Sequence, residues 1–85
     1  MLYLVESYLP ADGVGIEEID ARARAAAEQL ASEGAAVCHL RSILVPEDEM
    51  CVLHYDAPSR ELALEAARRA GVSSDRVVEM VEGPG

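Results

Sequence analysis

The two histidines, His39 and His54, are the side chains best suited to chemistry near neutral pH. They lie on either side of a short segment, Val45-Pro46-Glu47-Asp48, in which the proline suits the first central position of a type I turn. The β-branched and apolar runs that flank this segment predict a β-hairpin. If the turn is centred between Pro46 and Glu47, Arg41 faces Val52 across the hairpin and His39 faces His54.

Two histidines in that register would form the nitrogen part of a metal site. Directly opposed Cβ atoms lie about 4.5–5.5 Å apart, so both imidazoles could bind one ion. Imidazole nitrogen suits Ni²⁺ and Zn²⁺ alike, and carboxylates from neighbouring strands could complete the set. We therefore predict a metal site formed by His39, His54, Glu6 and Glu79, and the sequence indicates no organic cofactor. A bulge in the hairpin would send the two histidines to opposite faces of the sheet.

The same residues support two other hypotheses. In an enzyme, His54 would act as a general base, Arg41 would hold an anionic substrate and Glu6 would orient the base. In a purely structural dimer, His39 and His54 would only pair with carboxylates at an interface. No nucleophile elbow, His-x-x-x-His pattern or other specific motif adds support to either the metal hypothesis or the catalytic one. We expect a binding protein rather than an enzyme.

Composition predicts one small domain, residues 1–82, followed by a frayed tail at 83–85. The 85 residues are 51% hydrophobic but include three Tyr and no Phe or Trp, so the core must consist of aliphatic side chains and alanine. A chain of this length buries only about 60% of its unfolded surface, and dimerisation would stabilise it.

Charge and hydropathy exclude several kinds of partner. The net charge of −9 argues against nucleic acid and against anionic membrane surfaces. No apolar run approaches the length of a membrane span, and the first residues lack the basic start of a signal peptide. We expect a cytoplasmic protein in which Cys38 and Cys51 are reduced and buried.

The elements that must position these residues follow a simple order. The sequence predicts a strand (Leu2–Leu9), a loop (Pro10–Gly15), a helix (Ile16–Glu33), two hairpin strands (Ala35–Val45 and Glu49–Tyr55), a helix capped by Ser59 and ended by Gly71, and a strand (Arg76–Val81). This order predicts an α+β, ferredoxin-like βαββαβ fold. Right-handed crossovers place both helices on one face of a four-stranded antiparallel sheet in the order 4-1-3-2.

The other face of such a sheet is bare, and we call it the open face. Two open faces packed together would make a homodimer with a shared cavity for a small ligand or a divalent metal. Alternation along the strands assigns Cys38, Leu40, Cys51, Leu53 and Tyr55 to the helix side, and Glu6, Tyr8, Val37, His39, Arg41, His54 and Glu79 to the open face.

Several short motifs carry a family resemblance over nearly the whole chain, with Arg41–Ser59 as the most specific part. Leu40-Arg-Ser42, Val45-Pro-Glu-Asp-Glu49, Ala57-Pro-Ser59 and Asp75-Arg-Val-Val-Glu79 are among them. The chain resembles a small ferredoxin-like family of unknown function, widespread in actinobacteria, that includes nickel-binding (nickel-responsive) homodimers. The resemblance implies the same fold, a homodimer and divalent-metal binding.

The sequence departs from the nickel-binding branch in two places. That branch ends its first strand with Asp-Val-His and has more histidines in its first helix, whereas this chain has Val5-Glu6-Ser7 and a helix without histidine. Only His54, Glu6 and Glu79 therefore match as candidate ligands. The family also resembles dimeric α/β-barrel proteins, which include isomerases and monooxygenases, but this likeness is one of fold.

Overall fold

The chain folds as β1–α1–β2–β3–α2–β4, in the predicted order. The structure is a computed structural model that describes residues 1–9 and 13–84, so part of the predicted loop at 10–15 lies outside the described residues. The sheet is antiparallel with the strand order β2-β3-β1-β4, which is the predicted order, and the ferredoxin-like fold is confirmed. The elements are β1 (Leu2–Tyr8), α1 (Ile16–Ser32), β2 (Cys38–Val45), β3 (Met50–Asp56), α2 (Arg60–Arg69) and β4 (Arg76–Met80).

The core lies between the sheet and the two helices, and small side chains keep these layers close. Alternate residues of the central strands β1 and β3 are buried, as expected for a sheet that is covered on one face. The helices contribute mainly alanines, and alanine adds little bulk between a helix and a sheet. The largest fully buried side chains are Tyr55, Ile19, Leu53, Val5 and Cys51.

Local signals fix the start of α2 and the contact between the helices. The Ser59 hydroxyl accepts a hydrogen bond from the Leu62 amide at 3.3 Å, so the predicted N-cap is confirmed. Near the end of α2, the Arg69 guanidinium donates to Glu33 at the end of α1 at 2.7 Å and 3.0 Å, and this ion pair joins the two helices. The same guanidinium donates to Glu65 within α2 at 2.8 Å.

The turn between β2 and β3 is longer than the predicted type I turn. Residues Pro46–Asp48 form a 3₁₀ turn, and Glu49 follows in the left-handed region with φ 51°. Val45 therefore pairs with Met50, and Arg41 lies opposite His54 rather than opposite Val52. The predicted register is wrong by two residues, but a shift by two leaves the side chains from Arg41 to Val45 on their predicted faces.

A β-bulge at Leu40 changes the face of every residue before it. The ladder pairs Arg41 with His54 and then His39 with Tyr55, so Leu40 is the extra residue. His39 consequently lies on the helix side, and the predicted pairing of His39 with His54 is wrong. For the same reason Cys38 is exposed and Val37 belongs to the core, each contrary to prediction.

The side chains of strand β4 lie on the faces opposite to the predicted ones. Tyr3 pairs with Glu79, so Glu79 lies on the helix side of this edge strand and not on the open face. The loop before β4 sets this register, because Asp75 donates its amide to Glu6 O at 2.9 Å and accepts from the Tyr8 amide at 3.0 Å. Val77 can then pack against the core.

Candidate functional site

The open face is an aliphatic surface with a few charged groups. Residues of the central strands, such as Leu4 on β1 and Val52 on β3, are half-buried there by their neighbours on the sheet. Ile43 on the edge strand β2 is 41% exposed. Among these aliphatic side chains lie the polar residues Glu6, Arg41, His54 and Arg76.

His54 is near the centre of this face, on β3. Its direct cross-strand partners are Leu4 on β1 and Arg41 on β2. Burial lowers the pKa of His54 below its usual 6.5, and the positive charge of Arg41 lowers it further. The imidazole is therefore neutral at pH 7, and its unprotonated nitrogen can accept a hydrogen bond or bind a metal.

Arg41 is distinctive among the arginines. Each of the others has an ion-pair or hydrogen-bond partner within the chain: a carboxylate, or in Arg60 the Val77 carbonyl at 2.9 Å. Within residues 1–9 and 13–84, the Arg41 guanidinium has no ion-pair or hydrogen-bond partner. An unpaired cation on a largely apolar surface is a place where an anion can bind.

Glu6 shares the open face but already has a cation beside it. Its carboxylate lies 3.7 Å from the Arg76 guanidinium, on the neighbouring strand β4. Since Glu6 pairs with Val52, it lies diagonally across from His54. Arg76 was not predicted on this face, because its position depends on the β4 register, which is set by long-range contacts of Asp75 with β1.

His39 belongs to a separate cluster on the helix side. Its side chain is 1% exposed, and its Nε2 lies 2.9 Å from Ser42 Oγ and 3.7 Å from Asp20 Oδ1 on α1. Its ring meets the Tyr55 ring edge to face, with centroids 5.6 Å apart. Burial lowers the pKa of His39, although Asp20 opposes the shift. Neither His39 Nδ1 nor the Tyr55 hydroxyl has a hydrogen-bond partner in the described structure.

The predicted metal ligands are therefore not brought together in one chain. His54 and Glu6 share the open face, whereas His39 and Glu79 lie on the helix side. Within the described ranges, no three His, Cys, Asp or Glu side chains converge on a point where they could hold a metal ion. Of the four predicted ligands, a single chain therefore places two on the open face, which does not make a complete nickel or zinc site.

Comparison with known proteins identifies the family. A family model described as "Nickel responsive protein SCO4226-like" matches residues 3–80. The chain belongs to this SCO4226-like family. The resemblance inferred from the sequence motifs is thereby confirmed.

A solved SCO4226-like structure has the same fold. The crystal structure of SCO4226 from Streptomyces coelicolor A3(2) superposes with a TM-score of 0.71, covering 98% of this chain and 99% of that one. The two sequences are 16% identical, a level at which the likeness establishes the fold alone. No curated protein matches the chain significantly. None of the described helices is long and apolar enough to span a membrane.

Proposed function

We propose that this SCO4226-like protein is a homodimeric binding protein that holds a small, largely apolar anion on its open sheet face. The observation that carries the proposal is the pair formed by Arg41 and His54. An arginine with no partner among the described residues lies directly opposite a neutral, half-buried imidazole, and aliphatic side chains surround both.

The exposed aliphatic surface supports the proposed dimer. The open face spans all four strands, and an apolar surface of this kind is unfavourable in water unless something covers it. A second copy covers it by packing sheet against sheet, about 10 Å apart. The charged groups and the smaller aliphatic side chains then line a shared cavity, which encloses the ligand.

The charges on the open face favour an anion. The open face carries two arginines, Arg41 and Arg76, and two carboxylates, Glu6 and Asp56, although the whole chain carries a net charge of −9. Glu6 lies beside Arg76, and Asp56 is paired with the N-terminal amine at 3.1 Å, so Arg41 is the cation on this face that has no partner among the described residues. A ligand carboxylate would accept two hydrogen bonds from the Arg41 guanidinium and one more from the protonated ring nitrogen of neutral His54. The apolar part of the ligand would lie against Leu4 and Val52.

A divalent cation is the second candidate, favoured by the position of Glu6. His54 and Glu6 lie on adjacent strands of one face, and a two-fold axis through the cavity would bring together two imidazoles and two carboxylates. Such a set suits Ni²⁺ or Zn²⁺, and the family is described as nickel responsive. The cation would have to release Glu6 from Arg76. We place the protein in the cytoplasm, a reducing compartment that suits its free thiols, Cys38 and Cys51.

Sedimentation velocity tests the dimer. We expect the wild type to sediment as a dimer at micromolar concentration and Val52→Glu, which puts a charge on the open face, to sediment as a folded monomer. Leu44→Glu is the control, because Leu44 is 37% exposed on the helix side of β2. A wild type that stays monomeric, or a Val52→Glu dimer, would refute the proposed interface.

Calorimetric titration of the chelator-stripped dimer decides between the ligands. Octanoate is the apolar anion, and Ni²⁺ and Zn²⁺ are the cations. The main proposal expects octanoate to bind with a Kd below about 1 mM, with binding lost in Arg41→Gln and kept in Glu6→Gln. Arg68→Gln is the matched control, since Arg68 is an exposed arginine on α2. Cation binding that needs His54 and Glu6, without octanoate binding, would favour the second candidate. If neither probe binds, both are wrong.

A further inference from the structure

The β-bulge at Leu40 brings a histidine and a serine of one strand into contact. Side chains three residues apart in a regular strand lie on opposite faces of the sheet. His39 and Ser42 are three residues apart, but the extra residue between them places both on the helix side, opposite Tyr55 and Leu53. There His39 Nε2 lies 2.9 Å from Ser42 Oγ. Bulges are over-represented next to active sites, where they redirect a side chain in this way.

The His39 imidazole is placed to take a proton from the Ser42 hydroxyl. Packing against the Tyr55 ring holds it in position, and its burial lowers its pKa, so the ring is neutral at pH 7. In the tautomer with its proton on Nδ1, Nε2 accepts a hydrogen bond from Ser42 Oγ. Asp20 Oδ1 lies 3.7 Å from the same Nε2, where its negative charge stabilises the imidazolium that forms when the proton moves.

A cavity of about 370 Å³ between α1 and β2 gives a substrate access to this pair. Ser42 is one of the residues that line it, and Ile16 and Leu40 contribute apolar side chains. Two acidic and two basic residues complete the lining: Glu17, Asp20, Arg24 and Arg41. Because these charges balance, the cavity favours a neutral molecule with a small apolar group over a strongly charged one.

The free edge of the sheet supplies hydrogen-bond donors beside Ser42. β2 pairs with β3 alone, so its outward backbone N–H groups have no strand partner in the described structure. Inward and outward groups alternate along an edge strand, so the outward N–H belongs either to Ser42 or to its neighbours Arg41 and Ile43. Backbone N–H groups stabilise the oxyanion that forms when a nucleophile attacks a carbonyl. A donor for that oxyanion therefore lies within one residue of Ser42.

We propose that Ser42 and His39 form a nucleophile–base pair that hydrolyses neutral esters of small apolar acyl groups. Ser42 Oγ attacks the ester carbonyl while its proton passes to His39 Nε2. The bond to the leaving oxygen then breaks, His39 gives the proton to the leaving alcohol, and the acyl group remains on Ser42. Water attacks the acyl-serine with His39 again as the base, which releases the carboxylic acid and restores both side chains.

Hydrolysis of para-nitrophenyl butyrate tests the proposal, because this ester is neutral and its acyl group is small and apolar. Every protein in the assay carries Cys38→Ser, since the exposed Cys38 thiol would itself react with the ester. We expect repeated turnover, with kcat/KM lower by at least about 100-fold in Ser42→Ala and in His39→Gln. Ser74→Ala removes an exposed serine from the loop before β4 and is the control, which should leave kcat/KM unchanged.

Covalent labelling identifies the nucleophile without substituting either member of the pair. Phenylmethanesulfonyl fluoride reacts with a serine hydroxyl that a neighbouring base activates: an oxygen–sulfur bond forms and fluoride leaves. Peptide mass spectrometry of the labelled Cys38→Ser protein should place the sulfonyl group on Ser42. Labelling should be slower in His39→Gln, with circular dichroism to confirm that this variant is folded.

The pH dependence of kcat/KM tests the role of Asp20 as a positioning residue. Asp20 on α1 raises the pKa of His39, whereas burial, Arg24 on α1 and His54 on β3 lower it. The rate should rise with pH as His39 loses its proton. Asp20→Asn should move the midpoint of this rise to lower pH and reduce the plateau rate. A purely structural role would reduce the rate without moving the midpoint.

Three results would overturn the inference. The first is ester hydrolysis by the Cys38→Ser protein that is no faster than that of Ser42→Ala. The second is full activity in a folded His39→Gln variant, which would remove the base. The third is a sulfonyl group on other residues and not on Ser42, or no labelling at all.

Discussion

Acidification from pH 7.5 to pH 5.5 is expected to destabilise the fold, mainly through His39. The His39 side chain is 1% exposed, its Nδ1 has no hydrogen-bond partner among the described residues, and burial lowers its pKa below 6.5. Below pH 6.5 the unfolded chain therefore binds more protons than the native one. Stability must fall as the pH falls, because protons are drawn to the unfolded state.

The size of the effect has a defined upper limit. A histidine that stays neutral in the native state destabilises folding by about 1.4 kcal/mol at pH 5.5, relative to its effect well above pH 6.5. The value for His39 is smaller, because Asp20 lies 3.7 Å from Nε2 and opposes the pKa shift. The pKa of His54 is also lowered, but His54 is more accessible to solvent and contributes less. Carboxylates whose pKa values are already lowered stay ionised in this window, namely Glu33, Glu65 and Asp75.

The assay is urea unfolding followed by circular dichroism at pH 7.5, 6.5 and 5.5. Protein concentration is held constant, since dimerisation would contribute to stability. We expect His39→Leu to cost about 1 kcal/mol or less at pH 7.5, because it removes the hydrogen bond between Nε2 and Ser42 Oγ but also removes the buried Nδ1, which has no partner among the described residues. The same variant should lose most of the wild-type decrease between pH 7.5 and pH 5.5. His54→Leu is the control and should keep most of it.

If His39→Leu and the wild type lose the same free energy of unfolding between pH 7.5 and pH 5.5, His39 is not the cause of the acid destabilisation. That outcome would mean that native His39 takes up its proton as readily as the unfolded chain does. It would also mean that Asp20, rather than burial, controls the pKa of His39.

Three further predictions concern the fold and use the same unfolding assay. Tyr55→Phe should be neutral or stabilise the fold by up to about 1 kcal/mol, since the Tyr55 hydroxyl is buried without a partner in the described structure. A decrease of more than about 1 kcal/mol in the free energy of unfolding would show that the hydroxyl has a partner. Ser59→Ala should cost about 1 kcal/mol through loss of the α2 cap, and an unchanged midpoint would contradict the assigned cap. Deletion of Leu40, the extra residue of the bulge, should leave stability close to that of the wild type. Deletion of Ser42 should destabilise the fold strongly, because closing the bulge then places Arg41 opposite Leu53 on the helix side. Equal effects of the two deletions would refute the bulge assignment.

The order and type of the elements could be predicted because each rests on local patterns. The apolar strand before α1, the alanine stripes at three- and four-residue steps, and Ser59 before α2 each specify one element without reference to the rest. Once six elements alternate in this way, the handedness of crossovers leaves few arrangements. The sheet order was therefore predicted correctly, although the sequence gives no contact between strands directly.

The candidate site was harder to predict because it depends on register. Pro46 suits both a two-residue turn and the observed 3₁₀ turn, and the left-handed Glu49 that completes it is not a residue usually found in that conformation. The bulge at Leu40 has no glycine to mark it. His39 was therefore assigned to the wrong face, whereas Arg41 and His54, which lie after the bulge, were assigned correctly.

The bulge also limits the kind of cation site that this member of a family described as nickel responsive could form. It separates the two histidines, and among the described residues no three His, Cys, Asp or Glu side chains converge around His54 to enclose a cation. Any cation site on the open face must therefore be completed across a two-fold axis, and it must overcome the charge of Arg41, which lies directly opposite His54. An anion meets neither obstacle, because the same Arg41 has no other partner in the described structure. The electrostatics of one residue pair thus favour the anion, and Arg41→Gln changes the two affinities in opposite directions: anion binding weakens and cation binding strengthens.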